Sequence, residues 1–220
     1  MEQQKYAINR REVYRYMGLR GQNPDEALQQ MTEECIQELY RVAEPKYVYA
    51  FFPLEQLSQT ELDLGFMQVP SKNLSKNLRD CDRVAVMAAT LGAGVDRLLH
   101  RYEVTAITRS VILQAAAAAL IEAVCDVCQE EIAGIAGAEG YFLRPRFSPG
   151  YGDFDIANQK PVIQVLQASK RIGLTLTDSS MMVPTKSVTA VIGLSKKAVR
   201  CHKEGCESCT LEQCAYRRNT

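Results

Sequence analysis

The sequence has no excess of charge of either sign. Its 220 residues include 26 lysines and arginines and 26 aspartates and glutamates, which gives a formal net charge of zero at pH 7. Domains that bind nucleic acids usually carry a clear basic excess, because they must neutralise phosphates. The balance of charge therefore argues against a nucleic-acid partner.

Histidine and phosphate-binding glycine loops are also scarce. The two histidines are His100 and His202, and neither lies in a recognisable catalytic motif. The glycine-containing stretch LGAG, at residues 91–94, is too short for a dinucleotide-binding or nucleotide-hydrolysing loop. The sequence thus contains no evident acid–base centre, and we predict no catalytic side chain.

We predict neither a leader peptide nor a membrane span. Residues 1–16 are polar and charged, unlike a signal peptide. The most apolar stretch, residues 111–128, is interrupted by Gln114, Glu122 and Asp126, which predicts a packed helix rather than a membrane span. Together with eight cysteines, these absences favour a reducing cytoplasm, where cysteines are buried, redox-active or metal-binding rather than paired in disulfides.

Helix and strand patterns are present in irregular order, within a composition that is 46% hydrophobic. Apolar residues at helical spacing predict helices over 8–18, 23–45, 71–81, 94–104, 108–134 and 157–173. Runs rich in β-branched and aromatic residues predict strands over 46–55, 62–69, 82–92, 174–184 and 187–195. Because these elements do not alternate as regular βαβ units, we predict an α+β fold with long helices and a twisted, largely antiparallel sheet.

Composition divides the chain into a large domain and a short tail. Asn23 is the predicted cap of the second helix, and Gly134 and Gly137 are predicted to end the longest helix. The last 25 residues are charged, rich in cysteine and poor in core residues. The predicted organisation is a domain over 1–195, with a helical N-terminal part over 1–45, and a cysteine-rich tail over 196–220.

The decapeptide RPRFSPGYGD, residues 144–153, combines cations with a rigid turn. Pro149 and Gly150 fix a tight bend, where glycine allows another molecule to approach the backbone. Arg146 offers a planar fork for a carboxylate or phosphate, and Tyr151 adds a flat face and a hydroxyl. These residue types could hold a planar anionic ligand, or they could form a surface loop in which Arg146 pairs with Asp153 or Asp155.

Three separated segments resemble the activation domain of cobalamin-dependent methionine synthase. They are the Arg-x-x-Pro-Gly-Tyr turn at 146–151, the Leu-Thr-Asp-Ser segment at 176–179 and the Met-Val-Pro to Ser-Val segment at 182–188. Residues 120–132 resemble the long helix before the turn and place Glu122 at the family's matching position. The first hundred residues resemble stand-alone members of the family more weakly.

The resemblance implies that the chain binds S-adenosylmethionine and docks on the cobalamin module of methionine synthase. An electron donor, flavodoxin or a ferredoxin-type protein, reduces cobalamin that has left its cycle, and the methyl group of S-adenosylmethionine restores it. This chemistry needs alignment rather than a protein acid or base. The implied function is a reactivation subunit in methionine biosynthesis, part of a methyltransferase system, with no membrane partner.

The same resemblance implies a role for five residues of this sequence. Arg146 would hold the carboxylate of the methionine moiety, and Glu122 would contribute a carboxylate to the same ligand. Ser148 and Gly150 would offer backbone groups, and Tyr151 would lie beside the ligand and the cobalamin face. The residue types alone leave simpler roles open, because Glu122 could instead be solvated or paired with an arginine.

Two departures from the family pattern favour a separate subunit over a fused domain. Ala157 stands where family members often have the histidine of a Cys-Pro-x-His run, and Ile192 replaces a tyrosine of the last strand. Both departures bear on whether the chain retains S-adenosylmethionine binding.

The tail contains four cysteines spaced C-x4-C-x2-C-x4-C. Four thiolates at this spacing could surround a zinc ion or an iron–sulfur cluster, whereas the alternative is a tail with free thiols. The predicted metal ligands are Cys201, Cys206, Cys209 and Cys214. In contrast, Cys125 and Cys128 lie about one helical turn apart and are predicted to line the core.

Two other functions remain open from the sequence. The chain could be a small metal-binding redox or interaction protein in which the tail is the functional part. It could also activate another corrinoid methyltransferase with the same chemistry.

Overall fold

The computed structural model describes residues 5–19 and 23–198. The helices are α1 Arg10–Tyr16, α2 Glu26–Val42, α3 Lys72–Asn77, α4 Ala93–Thr105, α5 Ile107–Ala138, α6 Gln159–Val165 and α7 Ala168–Ile172, with a 3-10 turn at Ile156–Asn158. The strands are β1 Lys46–Pro53, β2 Glu55–Gln56, β3 Glu61–Asp63, β4 Gln68–Pro70, β5 Arg83–Thr90, β6 Phe142–Leu143, β7 Thr175–Leu176, β8 Met182–Val183 and β9 Ser187–Ser195.

A four-stranded antiparallel sheet in the order β1-β5-β9-β6 organises the domain. β5 lies between two long neighbours and pairs with each of them along its full length of eight residues. Small sheets, β2-β3-β4 and β7-β8, flank it. This mixture of helices and antiparallel strands confirms the predicted α+β class.

The sheet separates two hydrophobic cores, because successive side chains of a strand point to opposite faces. On β5, Ala85 and Met87 pack among α1, α2, α4 and α5. Val84 and Val86 pack against α3, α6, α7 and the sheet β2-β3-β4. Both faces of β5 are therefore covered, which explains why its sequence is apolar at nearly every position.

Helix α5 crosses the sheet and supplies much of one core. By length and composition, it is the one helix among the described residues that could span a membrane, but 61% of its most apolar window is buried inside the protein. Its buried face is rich in alanine, which allows neighbouring backbones to approach closely. A long, apolar helix that is buried inside the protein is a core helix, and this is what the sequence predicts for α5.

Several predicted boundaries were wrong in detail. Asp25, not Asn23, caps α2 by accepting a hydrogen bond from the Leu28 amide at 2.8 Å. Gly134 and Gly137 lie inside α5 rather than ending it. The cap of α2 lies two residues later than predicted, and the glycine that follows the end of α5 is Gly140, whose φ is +76°.

Three predicted segments form shorter elements than their apolar patterns indicated. Residues 62–69 contain parts of two strands, β3 and β4, joined by a turn at Gly65, whose φ is +79°. The segment 157–173 is divided into α6 and α7 at Gln167, where φ is +50°. Residues 174–184 contain the short pair β7 and β8 instead of one strand.

Candidate ligand-binding site

The loop over residues 144–155 is fastened to the sheet by aromatic side chains and backbone hydrogen bonds. Phe147 and Val191 exchange two backbone hydrogen bonds of 2.9 and 2.8 Å, which extends the sheet beyond β6. Phe154 is fully buried, and its ring centroid lies 6.3 Å from that of Phe147. The two rings thus anchor the loop at both ends of its tight turn.

Gly150 occupies a backbone conformation that favours glycine, since its φ is +94°. Its amide donates to the carbonyl of Phe154 at 2.7 Å, and the amide of Tyr151 donates to the carbonyl of Ser148 at 3.1 Å. These donors close the turn internally. Of the backbone groups predicted to meet a ligand, the amide of Gly150 is therefore already engaged within the loop.

Asp153 ties the loop to the start of α3. Its carboxylate accepts hydrogen bonds from the Ser71 hydroxyl at 2.6 Å and from the amides of Lys72 and Asn73 at 2.8 and 3.1 Å. The Ser71 bond first, and then the backbone amides, lower the pKa of Asp153 below its ordinary value of 3.8. The alternative pairing of Arg146 with Asp153 is thus not what the structure contains.

The lowered pKa gives Asp153→Asn a distinct pH dependence. A depressed pKa in the folded state stabilises the fold above the ordinary value, and that contribution is lost as pH falls through the folded pKa. We expect the variant to melt at a lower temperature than wild type at neutral pH, and the difference to shrink on acidification. Thermal melts across this pH range measure it, with Asp155→Asn as the control, because Asp155 bonds only within its own turn. A difference that is constant with pH would contradict the assignment.

Arg146 forms a bridge between two carboxylates of α5. Its Nη2 lies 3.0 Å from Glu122 and its Nη1 lies 2.9 Å from Asp126. The arginine side chain is 22% exposed, whereas those of Glu122 and Asp126 are 45% and 64% exposed. The structure therefore brings the predicted pair Glu122 and Arg146 into direct contact at the edge of the helix-covered core.

Burial and charge act in opposite directions on this guanidinium. Burial lowers the pKa of Arg146, but nearby groups, Cys125 and then Glu122, raise it overall. Arg146 is therefore a permanent cation held in a partly desolvated position. Such a group binds a carboxylate more strongly than an arginine surrounded by water.

A cleft of about 280 Å³ lies beside the turn, and Arg146 is not among the residues that line it. Ser148 and Tyr151 line it together with parts of the β7–β8 hairpin, the first residues of β9 and the 3-10 turn; the additional lining residues are Pro149, Ile156, Gln159, Ser180, Met181, Met182, Thr185, Ser187, Val188 and Thr189. Tyr151 is 62% exposed and stands at the rim, with its ring edge against Phe147. The cleft is slightly smaller than the roughly 300–1,000 Å³ of typical small-molecule sites, so it suits part of a ligand.

The cleft coincides with an open edge of β9. Val191 directs its backbone groups toward Phe147, and alternate residues of an antiparallel strand face the same side. Ser187 and Thr189 therefore direct their amides and carbonyls to this side, where the described residues form no further strand. A ligand in the cleft would meet backbone donors and acceptors of the strand itself.

Some residues of this site are not predicted from the sequence. Asp126 lies four residues after Glu122, so helical spacing alone could have placed both carboxylates on one face. The contributions of Gln159 and of the residues after Pro184 depend on how distant segments pack, and no local pattern reveals them. Ile192, at the family's tyrosine position, is fully buried and does not reach the cleft.

The cysteines of the described residues are buried, except Cys81, which is partly buried. Cys125 and Cys128 are buried, and burial raises the pKa of each thiol to about 12. Within residues 5–19 and 23–198, no group of three or more His, Cys, Asp or Glu side chains could hold a metal ion. The four tail cysteines, Cys201, Cys206, Cys209 and Cys214, lie outside the described residues.

Comparison with known proteins gives a family and a fold. The family model described as "Vitamin B12 dependent methionine synthase, activation domain" matches residues 72–219. A solved structure, the MetH reactivation domain bound to AdoHcy, is similar with a TM-score of 0.62 and 18% sequence identity, over 83% of this chain and 74% of that chain. At this identity the likeness establishes the fold. No curated protein sequence matches the chain.

Proposed function

The chain belongs to the family of vitamin B12 dependent methionine synthase activation domains, and we propose that it binds S-adenosylmethionine and remethylates cobalamin held by a partner protein. In this proposal the chain is a reactivation subunit, and its partner is the cobalamin module of a methionine synthase. The direct contact between Arg146 and Glu122 is the observation that carries the proposal, because it brings together a cation and an anion that the family resemblance assigns to the same ligand.

The charges of this pair fit the amino-acid end of S-adenosylmethionine. The ligand's carboxylate matches the planar guanidinium of Arg146, and its ammonium group matches the carboxylate of Glu122. Arg146 is mostly covered by protein, which reduces competition from water for the carboxylate. These residues thus bind and orient the ligand.

The cleft beside the turn fits the remaining part of the ligand. It is bordered by the open edge of β9, whose backbone groups can pair with the polar edge of an adenine. Ser148 and Tyr151 line the cleft and follow Arg146 closely in the sequence. One turn would therefore serve both halves of the ligand. Because the amide of Gly150 already donates to Phe154, the carbonyl of Gly150 is the backbone group that would contact the ligand.

The rim of the cleft favours docking of an apolar, planar group. Tyr151, Ile156 and Met181 line it and are all exposed, and clustered exposed apolar side chains are typical of an interaction site. Cobalamin held by the partner and reduced by the external electron donor would supply a cobalt nucleophile for the sulfonium methyl group, and S-adenosylhomocysteine would be the leaving group. The rim side chains would exclude water around that methyl group, and the chain needs no acid or base for the transfer.

Calorimetric titration with S-adenosylmethionine tests the proposal, before and after addition of a cobalamin-loaded methionine synthase module. We expect binding by the chain alone and tighter binding in the presence of the loaded module. Absence of binding in both titrations would refute the proposal and leave the small redox or interaction protein as the alternative. Remethylation of a different corrinoid protein, but not of methionine synthase, would identify the chain as the activator of another methyltransferase.

A separate proposal concerns the tail. We propose that residues 1–195 form the ligand-binding domain and that residues 196–220 carry a metal site formed by the four cysteines. A cluster there could pass the electron that reactivation requires from flavodoxin or a ferredoxin-type donor. Anaerobically purified protein should contain iron with visible absorption, or zinc without it. Protein that contains neither metal would remove the proposed site without affecting the S-adenosylmethionine proposal.

A further inference from the structure

The two terminal nitrogens of Arg146 are each occupied by a different carboxylate. Nη2 binds Glu122 and Nη1 binds Asp126, one helical turn farther along α5. Each terminal nitrogen carries two N–H groups, so a ligand carboxylate that engages both nitrogens must either displace one of these partners or bind beside their negative charges. Both terminal nitrogens are thus already paired with carboxylates of the protein.

Asp126 is the partner that can leave at lower cost. Its side chain is 64% exposed, compared with 45% for Glu122, so water can solvate it more completely once the ion pair opens. Exposed ion pairs contribute little stability, because water and salt screen them. Glu122, in contrast, can stay beside the guanidinium and pair with an ammonium group of the ligand.

From this geometry we infer that Asp126 is a specificity-determining residue that competes with the ligand's carboxylate for Arg146. The inference rests on the proposed function, since it assumes that an amino-acid end binds at Arg146. Asp126 then lowers affinity for every carboxylate ligand while keeping the cation neutralised when the site is empty. It acts on the carboxylate end of the ligand alone.

Asp126→Asn tests this inference with two ligands that differ in one group. S-Adenosylmethionine has the carboxylate, whereas decarboxylated S-adenosylmethionine retains the sulfonium and the amine without it. We expect the variant to bind S-adenosylmethionine about twofold to fivefold more tightly than wild type, which corresponds to the loss of an exposed ion pair. Affinity for the decarboxylated ligand should stay the same or fall, because no carboxylate competes.

Glu130→Gln provides the matched control. Glu130 is an exposed carboxylate on the same helix, one turn beyond Asp126, and its replacement removes the same unit of charge. We expect this variant to bind both ligands as wild type does. Any effect of net charge alone would appear in both variants and could be subtracted.

The outcomes separate this inference from the proposed function. Unchanged or weaker binding of S-adenosylmethionine by Asp126→Asn, with normal binding by wild type, would overturn the inference alone. Equal tightening for both ligands would overturn it too, since the effect would not depend on the carboxylate. Absence of binding by wild type and both variants would overturn the proposed function and this inference with it.

Discussion

Replacement of Arg146 by alanine is expected to weaken S-adenosylmethionine binding about 10-fold to 100-fold. The magnitude is that of a lost charge-assisted hydrogen bond to a partly buried partner. The variant also leaves Glu122 and Asp126 without their shared cation, so their negative charges would oppose the ligand's carboxylate. Isothermal titration calorimetry of wild type and variant measures the change directly.

The control for this prediction is an arginine that is remote from the cleft. Arg171 is an exposed residue in the last turn of α7, and Arg171→Ala should leave affinity within error of wild type. A lysine at position 146 should recover only part of the affinity, because its single ammonium cannot reproduce the planar fork. Equal affinities for wild type and Arg146→Ala, with both proteins folded, would show that the ligand binds elsewhere.

Replacement of Phe154 by alanine is expected to have the largest effect on stability, about 3–5 kcal/mol, as for other buried phenylalanines. Phe154 is fully buried below the site loop, and its backbone carbonyl accepts the hydrogen bond from Gly150. A cavity at this position would remove the support of Phe147 and loosen the turn. Urea unfolding gives the stability change, and ligand titration at low temperature gives the loss of binding.

Phe142→Ala removes the same side chain from an exposed position. Phe142 lies in the short edge strand β6 and is half exposed, so its removal should cost less than about 1 kcal/mol. Similar losses for the two variants would contradict the role of Phe154 as the buried support of the loop. Full binding affinity in folded Phe154→Ala would show that the turn is rigid without it.

The candidate site could be predicted only in part from the sequence. Arg146 and Tyr151 stand in a motif whose residue types indicate an anion and a planar group, and resemblance places Glu122 with them. In the sequence, Asp126 is only an interruption of an apolar run. Its contact with Arg146 depends on how the loop crosses α5, which no local pattern encodes.

The fold shows the same division. The central strands were predictable because β5 and β9 are long, apolar and β-branched, as strands covered on both faces must be. The segment 62–69 was predicted as one strand, although it contains parts of two, because its apolar residues run through a turn at Gly65. Short elements of this kind obtain their stability from packing on the sheet rather than from their own sequence.

The sequence alone predicts the α+β class, the buried long helix and the residues of the turn at 146–151. These features follow from composition, periodicity and covalent backbone restrictions, which act over a few neighbouring residues. Three features depend on the tertiary structure. Arg146 contacts two carboxylates of α5, and Asp153 binds the loop to α3. The first residues of β9 leave an open edge. Those contacts join groups far apart in the chain, and their energies exist only after the two cores have packed around the sheet.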